Sequence, residues 1–318
     1  MPLFPVREST QSGCRAPTRQ KEPHVAETCT HYRTASIDGL DVFYREAGDR
    51  SNPTLLLLHG FPSSSHMFRN LITALADDYH LVAPDHIGFG QSSMPSVNQF
   101  TYSFDRLTDI TEKLIDRLGL GRFAIYIHDY GAPIGLRIAS SRPERITGII
   151  TQSGNAYTEG FTPFWDRLFA HAKDRGANED AVRDYFTPET TKWQYTHGVP
   201  ADRLDRIAPE TWLLDQAGLD RKGNDAIQLQ LFWDYQFNLD GYPKFQEYFR
   251  VHQPPLLVTW GRNDEIFGAA GAEAFKRDLP DGEFHLLDTG HFALETHGDE
   301  IAGHIRDFLG RQEGLIRE

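Results

Sequence analysis

Two rhythms of apolar and polar positions take turns along the chain. TLLLLHG (54–60) is a short, unbroken apolar run, and FAIYI (123–127), RITGIIT (145–151) and PPLLVTWG (254–261) have the same form. Runs of this length read as strands buried on both faces. YHLVAPD (79–85) and EFHLLDTG (283–290) add two more. Between them, HMFRNLITALAD (66–77), FDRLTDITEKLIDRLG (104–119), AGAEAFKRDL (270–279) and EIAGHIRDFLG (300–310) carry helical spacing. The second of these closes on Gly119, a helix stop. TASIDGLDVFYREAG (34–48) alternates around an Asp-Gly pair, the mark of a hairpin. Strands alternating with helices predict an α/β domain: a mainly parallel sheet covered by helices on both faces.

The alternation stops between 153 and about 250, where aromatics, helical stretches and polar loops replace strand-like runs. This block is expected to be a helical cap inserted over the carboxyl edge of the sheet, where open α/β sheets place ligands. The chain then divides into a tail (1–33), a first core segment (34–152), the cap (153–250) and a second core segment (251–318). The tail is polar, proline-dotted and aperiodic, so it is expected to be flexible. It has no apolar stretch of the secretory kind, although Arg7, Arg15, Arg19 and Lys21 give it a basic bias that a transit peptide would share.

Composition narrows the partners. With 39% hydrophobic and 24% charged residues in 318, the chain suits one soluble domain with an insertion. No run approaches the ~20 apolar residues of a membrane span. A net charge of −13 argues against nucleic acid and anionic membranes. The only cysteines, Cys14 and Cys29, rule out a disulfide framework and fit a reducing, cytoplasmic setting. Nothing marks an interface, so the oligomeric state stays open.

Three polar residues follow predicted strands: Asp129 after FAIYI, Asp264 after LLVTWGRN, and His291 after FHLLDTG. A lone aspartate after a strand usually caps a helix, and a lone histidine beside glycine is usually structural. Nucleophile, acid and histidine in this order, each beyond a strand, is the α/β-hydrolase arrangement.

From residue 38 to about 311 the sequence resembles the α/β-hydrolase superfamily, in its branch with an aspartate nucleophile: epoxide hydrolases and haloalkane dehalogenases. LLLLHGFPSSSHMFR is similar to that branch's HGxP loop, PDHIGFGQSS to its DxxGxGxS loop, and HDYGAPIG to its nucleophile turn. WGRND and DTGHFALE resemble the acid and histidine loops. The resemblance implies Asp129 as nucleophile, His291 as general base, Asp264 as its orienting acid, and the backbone N–H groups of Phe61 and Tyr130 as oxyanion donors.

Chemistry suits the assignment. A carboxylate with an ordinary pKa of ~3.9 is ionised at neutral pH and attacks without a base. It is a poor nucleophile for amides and esters but adequate for a saturated carbon bearing a strained or good leaving group. The expected substrate is a small, largely apolar molecule, hydrolysed with water and without cofactor or metal. No histidine cluster has metal-ligand spacing, and pairs such as His285 with His291 are expected coincidences among fourteen histidines. His128 is expected to be structural with its side chain turned away from the site, and Ser63–Ser65 to cap the helix near His66. Ser153 lacks the small-residue turn of a serine nucleophile, and Gly88 and Gly90 serve a tight loop.

Epoxide and halide chemistry differ in the leaving group. Epoxide hydrolases donate to the developing alkoxide from cap tyrosines. Haloalkane dehalogenases hold halide with a Trp after the nucleophile and often an Asn in the HGxP loop; here those positions are Tyr130 and Phe61. LFWDYQFNLDGYPKFQEYFR (231–250) resembles the last cap helix of epoxide hydrolases, which implies Tyr235, with Asn238, as donor. Tyr195 is the first choice for a second donor, with Trp193 and His197 behind it. Ile127, where most epoxide hydrolases have glycine, is commoner among the dehalogenases. Arg137 lies too far along to serve an acid-substrate dehalogenase. The expectation is an epoxide hydrolase, the alternative a haloalkane dehalogenase, and a silent ligand-binding member of the fold the third reading.

Overall fold

The computed structural model describes residues 29–316. The expectation of a flexible tail therefore falls almost wholly outside the described residues. Where the two overlap, His31–Arg33 already belong to the first strand.

The described strands form one eight-stranded sheet in the order β1-β2-β4-β3-β5-β6-β7-β8. They are β1 (His31–Ile37), β2 (Leu40–Ala47), β3 (Thr54–Leu58), β4 (His80–Pro84), β5 (Phe123–His128), β6 (Ile146–Gln152), β7 (Leu256–Gly261) and β8 (Glu283–Leu287). β1 and β2 are the hairpin turned at Asp38-Gly39, and β2 runs antiparallel to β4. From β4 to β8 every pairing is parallel. The helices are α1 (Arg69–Leu75), α2 (Phe104–Leu118), α3 (Gly131–Ser141), α4 (Asp166–Lys173), α5 (Arg175–Arg183), α6 (Pro188–Thr196), α7 (Glu210–Leu219), α8 (Asn224–Asp234), α9 (Gln236–His252), α10 (Ala269–Ala274) and α11 (Ala293–Ile316).

Period-two alternation sorts the apolar runs onto two cores. Leu56, Leu58, Ile125, Ile127 and Val258 face a core shared with α2 and α3. Leu55, Leu57, Ala124, Tyr126 and Leu257 face the opposite core, closed by α1 and α11. Both faces are thus covered, which is why the strands carry no polar alternation. Ser103 caps the start of α2 through Arg106 N, and Gly119 ends it in the left-handed region. The stretch 66–77 opens as a 3₁₀ turn (Ser65–Phe68) before α1, with Ser64 accepting from His66 N. The last helix begins earlier than its pattern suggests, at Ala293, and is kinked at His297.

Between β6 and β7 lie α4 to α9 and short 3₁₀ turns, with Phe161–Phe267 as an isolated bridge. This helical segment meets the sheet's carboxyl edge through aromatic rings: Phe232 packs on Phe61 at 5.1 Å and Trp165 on Phe267 at 5.0 Å between centroids.

Candidate active site

Asp129 follows β5 with φ of 49°, the left-handed conformation of a tight strand-to-helix turn. The turn lifts its carboxylate above the sheet, and α3 begins two residues later. Oδ1 accepts two backbone N–H bonds, from Phe61 at 2.7 Å and Tyr130 at 2.6 Å. The approach of the β3 loop is so close that a Cβ on Gly60 would lie 2.2 Å from Asp129 Cβ, so glycine is obligatory there. Oδ2 is left uncommitted by those bonds and stands 4.0 Å from His291 Nε2.

His291 leaves β8 on the same edge. Its Nδ1 is 2.9 Å from Asp264 Oδ2, while Nε2 has no hydrogen-bond partner. Asp264, just beyond β7, is fixed on its other side by Ile266 N at 2.8 Å and Phe267 N at 3.1 Å to Oδ1. The three groups predicted from strand ends therefore do converge. All three are buried.

Burial governs their protonation. It raises the Asp129 pKa to about 6 against the pull of His291 and the two N–H donors. Burial also disfavours a charged His291, but the charge and hydrogen bond of Asp264, with Asp129 behind them, outweigh it and raise the imidazole above its usual value.

The neighbours fall differently from expectation. His128 does not turn away: Nδ1 is 3.0 Å from Gln152 O, and its ring stands 4.6 Å from the ring of His291. Burial, and then the neighbouring His291, hold its pKa well below normal, so it packs as a neutral ring. Ser153, set aside as a nucleophile, donates to Asp264 Oδ2 at 2.7 Å. Its only sequence signal was its place after β6, beside the strand that presents Asp264. Two buried histidines brace the Phe61 loop: His59 Nε2 accepts from His86 N, and His86 Nε2 reaches His59 O, both at 3.0 Å.

Tyr235 lies over the site, its ring 6.0 Å from Tyr130, 5.4 Å from Phe104 and 4.3 Å from Trp165. Its hydroxyl interacts with that of Tyr242, which accepts from Asn155 Nδ2 at 3.3 Å. Burial first, then the Tyr242 phenol and the Asp129 charge, keep Tyr235 protonated well above the usual phenol range. Tyr242, seven residues on and so on the same face of α9, was not singled out from the sequence. Asn238 shares that face, fully buried, with neither amide atom hydrogen-bonded.

Tyr195 is a correction. Its hydroxyl donates to Asp215 at 2.5 Å and its ring stacks on Phe292 at 3.9 Å, within the opposite core. Helix α6 turns that face toward α7 and α11, and turns Trp193 toward Phe164, 5.9 Å away and stacked. Trp193 lines an outer cleft of about 770 Å³ with Phe164, Tyr185 and Asp264. His197 pairs with Glu265 at 3.0 Å. Ile127 packs against α3, where a Cβ on Gly135 would fall 2.5 Å from its Cγ2.

Comparison with known proteins agrees with the fold. The α/β-hydrolase fold family matches residues 53–298, and the chain belongs to it. An uncharacterized hydrolase of Saccharomyces cerevisiae is 47% identical over 273 residues, covering 84% of this chain and 93% of its own. A haloalkane dehalogenase of Mycolicibacterium paratuberculosis is 36% identical over 299 residues, covering 87% and 89%. Among solved structures, an epoxide hydrolase of Vigna radiata superposes with TM-score 0.69 at 22% identity over 89% of this chain and 98% of its own. The chain is thus a hydrolase of this fold, related to haloalkane dehalogenases.

Proposed function

We propose that the chain is an epoxide hydrolase that works through an ester on Asp129. The observation that carries this reading is the division of labour between the two carboxylate oxygens. Oδ1 is held by Phe61 and Tyr130 N–H, and Oδ2 faces His291. In the first step Oδ2 attacks an epoxide carbon, the ring C–O bond breaks, and the alkoxide takes one proton from the Tyr235 hydroxyl, whose phenolate Tyr242 then hydrogen-bonds. In the second, His291 Nε2 removes a proton from water and the hydroxide adds to the ester carbonyl. The resulting oxyanion on Oδ1 sits in the N–H donors already aimed at it. The acyl C–O bond then breaks, the diol leaves with the proton from His291, the acid proton left on Asp129 returns to the Tyr235 phenolate, and Asp264 holds the imidazole throughout. Asp129, with Asp264 and His291, is the catalytic set; Asn238 borders the substrate. The helical segment 153–250 acts as a cap, and we place the enzyme in the cytoplasm with a small apolar substrate and water as its partners.

The dehalogenase reading is favoured by the Mycolicibacterium relative. Against it, the halide-donor positions hold Phe61 and Tyr130, neither with a side-chain N–H. The Trp165 indole N–H is also committed to Ile266 O at 2.8 Å.

Paired product assays test the choice: diol from styrene oxide and bromide from 1-bromobutane, each with Asp129→Ala as control. Diol release lost in the variant is the expected result. Bromide alone would replace the epoxide reading with the halide one, and diol formation retained by Asp129→Ala would remove the mechanism.

A further inference from the structure

A second constellation lies on the outer edge of the sheet. Glu283 and His285 stand two residues apart on β8, so their side chains leave the same face of this edge strand. The helix α11, which packs under β6 and β7, contributes His304. One ligand-type atom from each of the three lies within 4.8 Å of the others. The two imidazoles stack with centroids 3.6 Å apart, and Glu283 Oε1 is 2.6 Å from His285 Nε2. His304 Nε2 is buried without a hydrogen-bond partner, and the Glu300 carboxylate, one turn earlier, stands 3.8 Å away.

We propose that Glu283, His285 and His304 bind a divalent transition-metal ion of the zinc class. Two imidazole nitrogens and a carboxylate oxygen form the donor set that such borderline cations take, whereas calcium and magnesium want oxygens alone. Zinc bonds of about 2.0–2.2 Å require donors roughly 3–3.5 Å apart, so binding must tilt the stacked rings until both nitrogen lone pairs converge and break the Glu283–His285 hydrogen bond. Glu300 or water supplies the fourth position. Arg311, which now pairs with the other Glu283 oxygen, is the competitor the ion must outbid. A plain surface salt bridge would account for Glu283, His285 and Arg311, but it leaves His304 Nε2 without a hydrogen bond, with only the Glu300 carboxylate 3.8 Å away. Sequence spacing hides the set because its donors come from a strand and a helix some twenty residues apart.

The ion would tie β8 to α11, the two elements that flank the His291 loop, and stabilise the fold by mass action. The test uses the full chain after chelator treatment, titrated with zinc chloride by calorimetry and by thermal melting, with magnesium chloride as control. One zinc per chain with a melting rise of several degrees, absent with magnesium and lost in both His304→Ala and Glu283→Gln, is expected. Cobalt in place of zinc should give the visible bands of a four-coordinate N/O site. Equal zinc responses in wild type and both variants would place the ion elsewhere, and no zinc-dependent shift would overturn the proposal. Neither readout depends on turnover, so the site stands or falls apart from the epoxide reading.

Discussion

Asp129 carries a cost that its neighbours reveal. Its acid is weaker than an ordinary aspartate, at about 6, because a buried carboxylate loses water faster than two N–H donors and a histidine replace it. The sign follows from linkage. The folded state holds this proton more tightly than the unfolded chain does. Stability from that proton is therefore present at low pH and is lost as pH rises through 3.8 to about 6. Above that range the ionised group destabilises the fold by on the order of 2–3 kcal/mol. Asp129→Asn keeps the acceptor for Phe61 and Tyr130 and removes the charge. It should melt several degrees higher than wild type at pH 8, with the gain shrinking toward pH 4. Thermal melts at both pH values check this, and an equal or lower melting point at pH 8 would contradict it. The same proton should gate alkylation in single-turnover assays, which should slow below about pH 6 as the nucleophile is protonated.

At the scale of elements, the two tyrosine-bearing helices separate packing from chemistry. Tyr235, at the junction of α8 and α9, lies over the nucleophile with Tyr242 of α9 beside its hydroxyl, whereas α6 spends Tyr195 on Asp215. Tyr235→Phe should slow epoxide opening at least tenfold with little change in melting temperature. Tyr195→Phe should leave turnover near wild type and lower the melting point, since it strands a buried carboxyl whose pKa burial already raises to about 7. The opposite pattern would exchange their roles. This contrast marks where sequence stops being informative. Strand-end residues such as Asp129, Asp264 and His291 are legible because a continuous apolar run fixes both where a strand ends and which edge it points to. A tyrosine on a helix of the inserted segment has no such anchor: its facing depends on the rotation of that helix against others, and α6 and α9 carry aromatics on several sides. Tyr242 escaped notice for that reason. Ser153 and His128 were named, but their contacts with Asp264 and His291 were not legible, because those partners arrive from loops more than a hundred residues away.

Across the whole molecule, the buried histidines oppose the buried acids. Burial holds His59 to about 4, and His86 and His128 well below 6.5. His66, depressed by burial and by Arg69, also falls to about 4. Each takes up a proton near 6.5 once unfolded but not while folded. Its contribution is therefore full above that value and drains away as pH falls. Asp129 and Asp215, raised to about 6 and about 7, work the other way, gaining stability on protonation. His171 and His297, also lowered, add to the imidazoles, while Asp85 and Asp234, also raised, add to the acids; six imidazoles against four acids leave the unfolded chain binding more protons between pH 6 and 5. Urea midpoints should therefore fall steeply from pH 7 to pH 5, before the exposed carboxylates titrate. Replacing His59 with Asn, which cannot take up that proton, should flatten the slope. The midpoint at pH 7 should also fall, because the bond from His86 N to this side chain braces the Phe61 loop. A midpoint that holds steady or rises on acidification would mean that these imidazoles find protons, or water, within the folded chain.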